Sequence, residues 1–136
     1  MKDTPTHILV IKSKIEEIEK VNRFLLDIFE FHKLPKNCFN KVFLCVSEAV
    51  NNSIVHGNKK VYHKQIEVII NCKERSLAVT ISDEGEGFDI KKIPDPTHID
   101  NILKESGRGI HIIKSISEKV EFNEQTNSLH FQISCT

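Results

Sequence analysis

Two neighbouring runs of period-two alternation constrain this chain most. Ile66, Val68, Ile70 and Cys72 alternate with Gln65, Glu67 and Asn71, and Leu77, Val79 and Ile81 alternate with Ala78, Thr80 and Ser82. Side chains on a strand point to opposite faces in turn, so each run has one apolar and one more polar face. The short polar link "KERS" joins them and predicts a hairpin. A hairpin with one apolar face is not stable alone. The rest of the chain must supply more strands beside it and a layer to cover it.

The covering layer comes mostly before the hairpin. "HILVI" (His7–Ile11) predicts a short strand. Ser13 can cap a helix running to about Phe31, with Glu16 at the N3 position of a capping box. Ile15, Ile18, Leu25 and Ile28 recur there at helical spacing. A second helix is predicted from near Pro35, a good first-turn residue, to Gly57. Phe39, Val42, Phe43, Val46, Val50 and Ile54 fall on one broad face of it, with Lys41, Glu48 and Asn52 opposite. Beyond Asp89 regularity is lost through "DIKKIPDPTHIDNILKES", which predicts a long loop with one short helix around Ile99–Lys104. Loops of that length in a small domain are functional or mobile. "GRGIHIIKSIS" predicts a helix opening on glycines, and "KVEFN" with "SLHFQIS" a closing hairpin. Helices and strands are segregated, so the expected class is α+β: a two-layer sandwich, a mostly antiparallel sheet with helices on one face.

Size and charge bound what such a fold does. The 136 residues are expected to form a single domain over 1–136, long enough to bury one core. Lys plus Arg and Asp plus Glu both number 19, so the net charge is zero. That argues against direct nucleic-acid or membrane-surface binding through a basic excess. No apolar run is long enough to cross a bilayer. The start, "MKDTPTHILVIKS", lacks the apolar core and cleavage site of a signal peptide. Cys38, Cys45, Cys72 and Cys135 are scattered with no Cys-x-x-Cys, so the expectation is buried, inert thiols in a reducing cytoplasm, without a disulfide framework or zinc.

Three stretches carry candidate chemistry. In "SEAVNNSIVHG", Glu48 and Asn52 lie four apart and so stack on one helix face. A carboxylate and an amide one turn apart suit a hard cation and a hydroxyl or water. Polar residues on a solvent face explain the same stretch more simply. "SDEGEGFD" follows a strand that ends near Ser82. Gly85 and Gly87 permit positive φ and a close ligand approach, and Asp83 can accept a hydrogen bond from an exocyclic amine. An acidic turn is the plain alternative. A calcium loop fails, because counting from Asp83 the glycine required at the sixth position is Phe88. "SGRGI" opens a helix on Gly107, Arg108 and Gly109, where exposed N–H groups attract phosphate. A tight loop-to-helix entry is again sufficient. The spacing is that of neither a P-loop nor Gly-x-Gly-x-x-Gly.

The order of these stretches is more specific than any one of them. Glu-x-x-x-Asn on a helix, a hairpin ending in Asp-x-Gly-x-Gly, a long loop, and Gly-x-Gly entering a helix resemble the N, G1 and G2 boxes of the GHKL (Bergerat-fold) ATPases. These include gyrase, MutL and the histidine kinases. In detail "VSEAVNNSIVHG", "ISDEGEGFD" and "IPDPTHIDNILKESGRGIHIIKSISEKVEF" are similar to the corresponding boxes and lid of the anti-sigma factor serine/threonine kinases. The resemblance implies ATP and Mg²⁺ as cofactors. It assigns Glu48 as catalytic base, Asn52 as Mg²⁺ ligand, and Asp83 as the adenine-binding residue supported by Gly85 and Gly87. It gives the phosphates to Gly107, Arg108 and Gly109 with the 90–106 loop as lid. Glu84, Glu86 and Asp89 are then solvated, and Phe88 anchors the lid. One departure is that "NEQTNSLHF" has no glycine where many members carry Gly-Thr.

The implied activity is Mg-ATP-dependent phosphorylation of a STAS-type anti-anti-sigma partner, with sequestration of a sigma factor, in the cytoplasm. Family members are often dimers, so a homodimer belongs to the expectation. The alternative is a nucleotide-gated sequestration module without phosphotransfer. It has no need of a base, which Glu48 supplies.

Overall fold

The computed structural model describes residues 5–58, 61–84, 108–123 and 125–136. The hairpin that the alternation demands is β2 (Gln65–Lys73) and β3 (Ser76–Asp83), paired antiparallel from Ile66↔Asp83 to Lys73↔Ser76. The turn is two residues, Glu74 and Arg75, both at positive φ (52° and 65°). Positive φ at both central positions matches the twist of the flanking strands. Here it is adopted without glycine or asparagine.

Ile66, Val68, Ile70, Leu77 and Val79 are wholly buried, and Ile81 and Cys72 nearly so. β1 (Thr6–Lys12) lies outside β2, and the closing hairpin of β4 (Glu118–Asn123) and β5 (Ser128–Ser134) joins through β5 against β3. The described sheet is five-stranded and antiparallel, in the order β1-β2-β3-β5-β4.

Among the described residues, three helices cover one face: α1 (Ile18–His32), α2 (Phe39–Asn52) and α3 (Arg108–Ile116). Val21 and Leu25 of α1, Val42, Cys45, Val46 and Val50 of α2, and Ile113 of α3 are fully removed from water. They meet Phe131 and Ile133 of β5 in one continuous core. Each such aliphatic side chain contributes about 1.5–3 kcal/mol by burial. Among the described residues, no helix is long and apolar enough to cross a membrane.

Three expectations need correction. The capping box at Ser13 does not form. Ser13 is fully buried and its hydroxyl accepts a hydrogen bond from Asn58, so the chain enters α1 through a 3₁₀ turn at Ile15–Glu17. Glu17, not Glu16, reaches back to the N–H of Lys12 (3.2 Å). The second helix starts later than Pro35, which caps a 3₁₀ turn at Lys36–Cys38. Its end is a π-turn at Ser53–Gly57.

The third concerns the cysteines. Cys38 and Cys135 are joined by a disulfide, with Cα atoms 5.5 Å apart across 97 residues of sequence. The antiparallel return of β5 brings the chain's end to the start of α2, and spacing along the sequence carries no trace of that approach. Cys45 and Cys72 are buried free thiols, and burial pushes both thiols up. The disulfide removes the cysteine argument for a reducing compartment. The short helix expected around Ile99–Lys104 and the lid anchor Phe88 lie outside the described residues.

Candidate functional site

α2 carries the candidate pair. Its apolar stripe is buried against the sheet, which leaves Glu48 and Asn52 on the flank facing α3, both half-buried. Across from them α3 begins. Gly109, its second residue, is buried, and a Cβ added there would stand 2.7 Å from Glu48 Oε2, 3.3 Å from Asn52 Nδ2 and 3.3 Å from Glu48 Cβ. Gly109 takes ordinary helical geometry, so the demand is for close approach and not for an unusual φ. Only a hydrogen fits between the start of α3 and the two polar side chains. Asn52 Nδ2 is buried and has no hydrogen-bond partner among the described residues. A buried polar group without a partner costs about 1–3 kcal/mol, so such atoms point to a ligand or a function.

Asp83 ends β3, and its N–H donates to the carbonyl of Asn127 at 3.2 Å. Asn127, in the left-handed region at φ 49°, occupies the turn of the closing hairpin, within the glycine-free stretch "NEQTNSLHF". An asparagine tolerates that conformation nearly as well as glycine. Beside it Ser82 and Ser128 share a hydroxyl hydrogen bond of 2.7 Å. The end of β3 is also tied to the far end of α2 by Asn58. Its Oδ1 accepts the N–H of Glu84 at 2.9 Å, and its Nδ2 donates to Ser13 Oγ and to the carbonyl of Gln65 (3.2 Å).

Glu84 is exposed, yet its carboxylate accepts the N–H of Gln65, which corrects its reading as purely solvated. Sequence reasoning missed Asn58 and Asn127, and gave Ser13 to a helix cap. The first reads only as a polar residue after a helix, and its partners are far away in sequence.

Glu48, Asn52 and Gly109 are therefore brought together, with Asp83 at the end of a strand that packs beside α2 and the 53–57 turn. Arg108 opens α3. Gly85, Gly87 and Gly107 lie outside the described residues. Among the described residues, no cluster of three or more histidine, cysteine or acidic side chains could hold a metal by itself. A cation here would need oxygens from its ligand as well as from Asn52, as Mg²⁺ commonly takes them with nucleotide phosphates.

The model of the histidine kinase-like ATPase domain matches residues 11–133, which contain every one of these residues. The chain belongs to that family. It is similar to the anti-sigma F factor of Oceanobacillus iheyensis, 36% identical over 78 residues, covering 56% of this chain and 53% of the relative. Serine-protein kinase RsbW of the same organism is 30% identical over 88 residues (60% and 56%), and that of Staphylococcus epidermidis 34% over 87 (57% and 53%). These matches span about half the length of the curated relatives. Among solved structures, the RsbU and RsbW domains of a Mycobacterium tuberculosis protein superpose with a TM-score of 0.65 over 96% of this chain and 32% of that one, at 13% identity. That likeness establishes the shared fold, in agreement with the two-layer architecture expected from the sequence.

Proposed function

We propose that this histidine kinase-like ATPase domain is an ATP-binding anti-sigma regulatory factor. It transfers the γ-phosphoryl group of ATP to a serine or threonine of a STAS-type anti-anti-sigma partner and sequesters a sigma factor in a cytoplasmic partner switch. The carrying observation is the seating of Gly109 against Glu48 and Asn52, with the amide nitrogen of Asn52 buried and without a partner among the described residues. The names of its relatives, anti-sigma F factor and serine-protein kinase, support the same reading.

Each residue has a role in it. Glu48 takes the proton of the partner's hydroxyl as that oxygen bonds to the γ-phosphorus and the bond to the bridging oxygen breaks, releasing ADP. An amide offers an acceptor and donors from one carbon. Asn52 Oδ1 would hold Mg²⁺, and Nδ2 would donate to an oxygen of the ligand. When bound, the cation neutralises charge on the phosphate oxygens. Asp83 accepts a hydrogen bond from the adenine amine, beside Gly85 and Gly87. The start of α3, at Arg108 and Gly109, offers N–H groups to the phosphates; Gly107 and the 90–106 lid, which the family resemblance adds to the phosphate site, lie outside the described residues.

The test is mass spectrometry of the partner after incubation with Mg-ATP. A gain of one phosphate is expected, lost in Glu48→Ala while ATP binding persists. Phosphorylation unchanged in that variant would refute the base assignment. ATP binding without any phosphate gain in the wild type would favour stoichiometric sequestration instead.

A further inference from the structure

Asn58 is wholly buried and hydrogen-bonds to five residues from separate parts of the chain. Its backbone N–H donates to Ser53 in the turn that ends the α2 segment (2.7 Å), and its carbonyl accepts from Val61 (3.0 Å). The side-chain donors go to Ser13, just after β1, and to Gln65, the first residue of β2. The side-chain acceptor takes the N–H of Glu84, the residue after Asp83. β2 and β3 are in register there, with Ile66 opposite Asp83. Asn58 therefore grips both strands at the end that carries Asp83 and fastens them to the helix that carries Glu48 and Asn52.

The residue type follows from this geometry. Two donors and one acceptor are needed on a short side chain, which asparagine supplies. Leucine, of similar volume, supplies none of them. Glutamine is one methylene too long for a fully enclosed position.

We propose that Asn58 is a positioning residue. Through Glu84 it holds the carboxylate of Asp83 at a set place relative to α2, and so determines how strongly the site prefers adenine nucleotides. The inference rests on the ATP-binding role given to Asp83 above. A purely structural buried amide would lower stability, but its effect on ATP would be independent of Asp83. A positioning residue acts only while Asp83 is present.

The experiment is isothermal titration of ATP and GTP, with Mg²⁺, into the full chain and its Asn58→Leu variant, each with and without Asp83→Ala. Loss of the buried acceptor is expected to weaken ATP binding about tenfold and to shrink the ATP-over-GTP preference by a similar factor. In the Asp83→Ala background the same change should alter ATP affinity no more than about twofold, the non-additivity of coupled neighbours. A full tenfold loss that persists without Asp83, or an unchanged preference for ATP over GTP, overturns the proposal. Should Asn58→Leu fail to fold, Ser13→Ala decides. It frees one side-chain donor and is expected to weaken ATP about threefold with Asp83 and not at all without it. Equal loss in both backgrounds overturns the proposal there too. Wild-type protein that binds no ATP would refute the functional reading itself, and this inference with it. Wild-type binding with multiplying effects refutes the positioning role alone.

Discussion

Replacing Gly109 by alanine separates the site from the fold. The added methyl would stand 2.7 Å from Glu48 Oε2, and 3.3 Å from both Asn52 Nδ2 and Glu48 Cβ. Comfortable carbon contacts need roughly 3.5 Å, so the carboxylate must retreat by roughly 0.8 Å or rotate away. The carboxylate is the far end of a flexible side chain, so torsions can absorb its shift; the contact with Glu48 Cβ, which torsions do not move, is relieved by a few tenths of an ångström between α2 and α3. Gly109 lies in a helix, where alanine is favoured over glycine by up to about 1 kcal/mol. Stability is therefore expected to stay level or rise slightly. Chemistry should not survive as well, because a misplacement of about 1 Å in a reacting group costs about a hundredfold in rate. The expected result is a kcat for partner phosphorylation about a hundredfold lower, equivalent to about 2.7 kcal/mol, with an unchanged or raised Tm. Single-turnover phosphorylation with radiolabelled ATP and a thermal melt together make the assay. Undiminished turnover would refute the view that Glu48 acts from where Gly109 lets it sit. A Tm lowered by roughly 10 °C would refute the claim that so small an adjustment absorbs the methyl.

Two further predictions concern parts of the fold away from the site. Cys38 and Cys135 close a loop of 97 residues, for which the chain-entropy account gives about 4.7 kcal/mol, so Cys135→Ser should lower Tm by roughly 10–20 °C. Wild-type protein whose melt is the same with and without dithiothreitol would refute that contribution. His7 and His32 share an Nε2–Nε2 hydrogen bond of 2.8 Å beside the Phe31 ring, and burial holds both imidazoles below the ordinary value. A depressed folded-state value means that the unfolded chain binds protons more readily. The stability is intact above about pH 6.5 and is lost as pH falls through the folded-state values. The urea midpoint should drop between about pH 7.5 and about pH 5.5, and less so in His32→Gln; equal slopes in the two proteins would refute it.

The hairpin at 65–83 and the closing hairpin were legible because burial of one sheet face imposes period two on local sequence, and nothing distant is needed to read it. The same holds for the α2 stripe, where Val42, Val46 and Val50 recur at helical spacing and are all fully buried. Ser13 shows where local reading fails. Its sequence neighbours suit a helix cap, yet its hydroxyl is taken by Asn58, 45 residues away. The expected cap lost to a tertiary hydrogen bond that fills a buried position. Gly85, Gly87 and Gly107 stand as sequence-level assignments beyond the described residues.

The sequence by itself determined the class of the fold and the order of its candidate boxes, because periodicity and residue type act over a few neighbours. The tertiary structure decided which of those residues meet. Gly109 reaches Glu48 across 61 positions, Cys135 reaches Cys38, and Asn58 joins the ends of strands that no spacing rule connects. Close approach between distant segments is a property of packed layers in three dimensions, and a linear pattern records it only as isolated glycines, cysteines and asparagines.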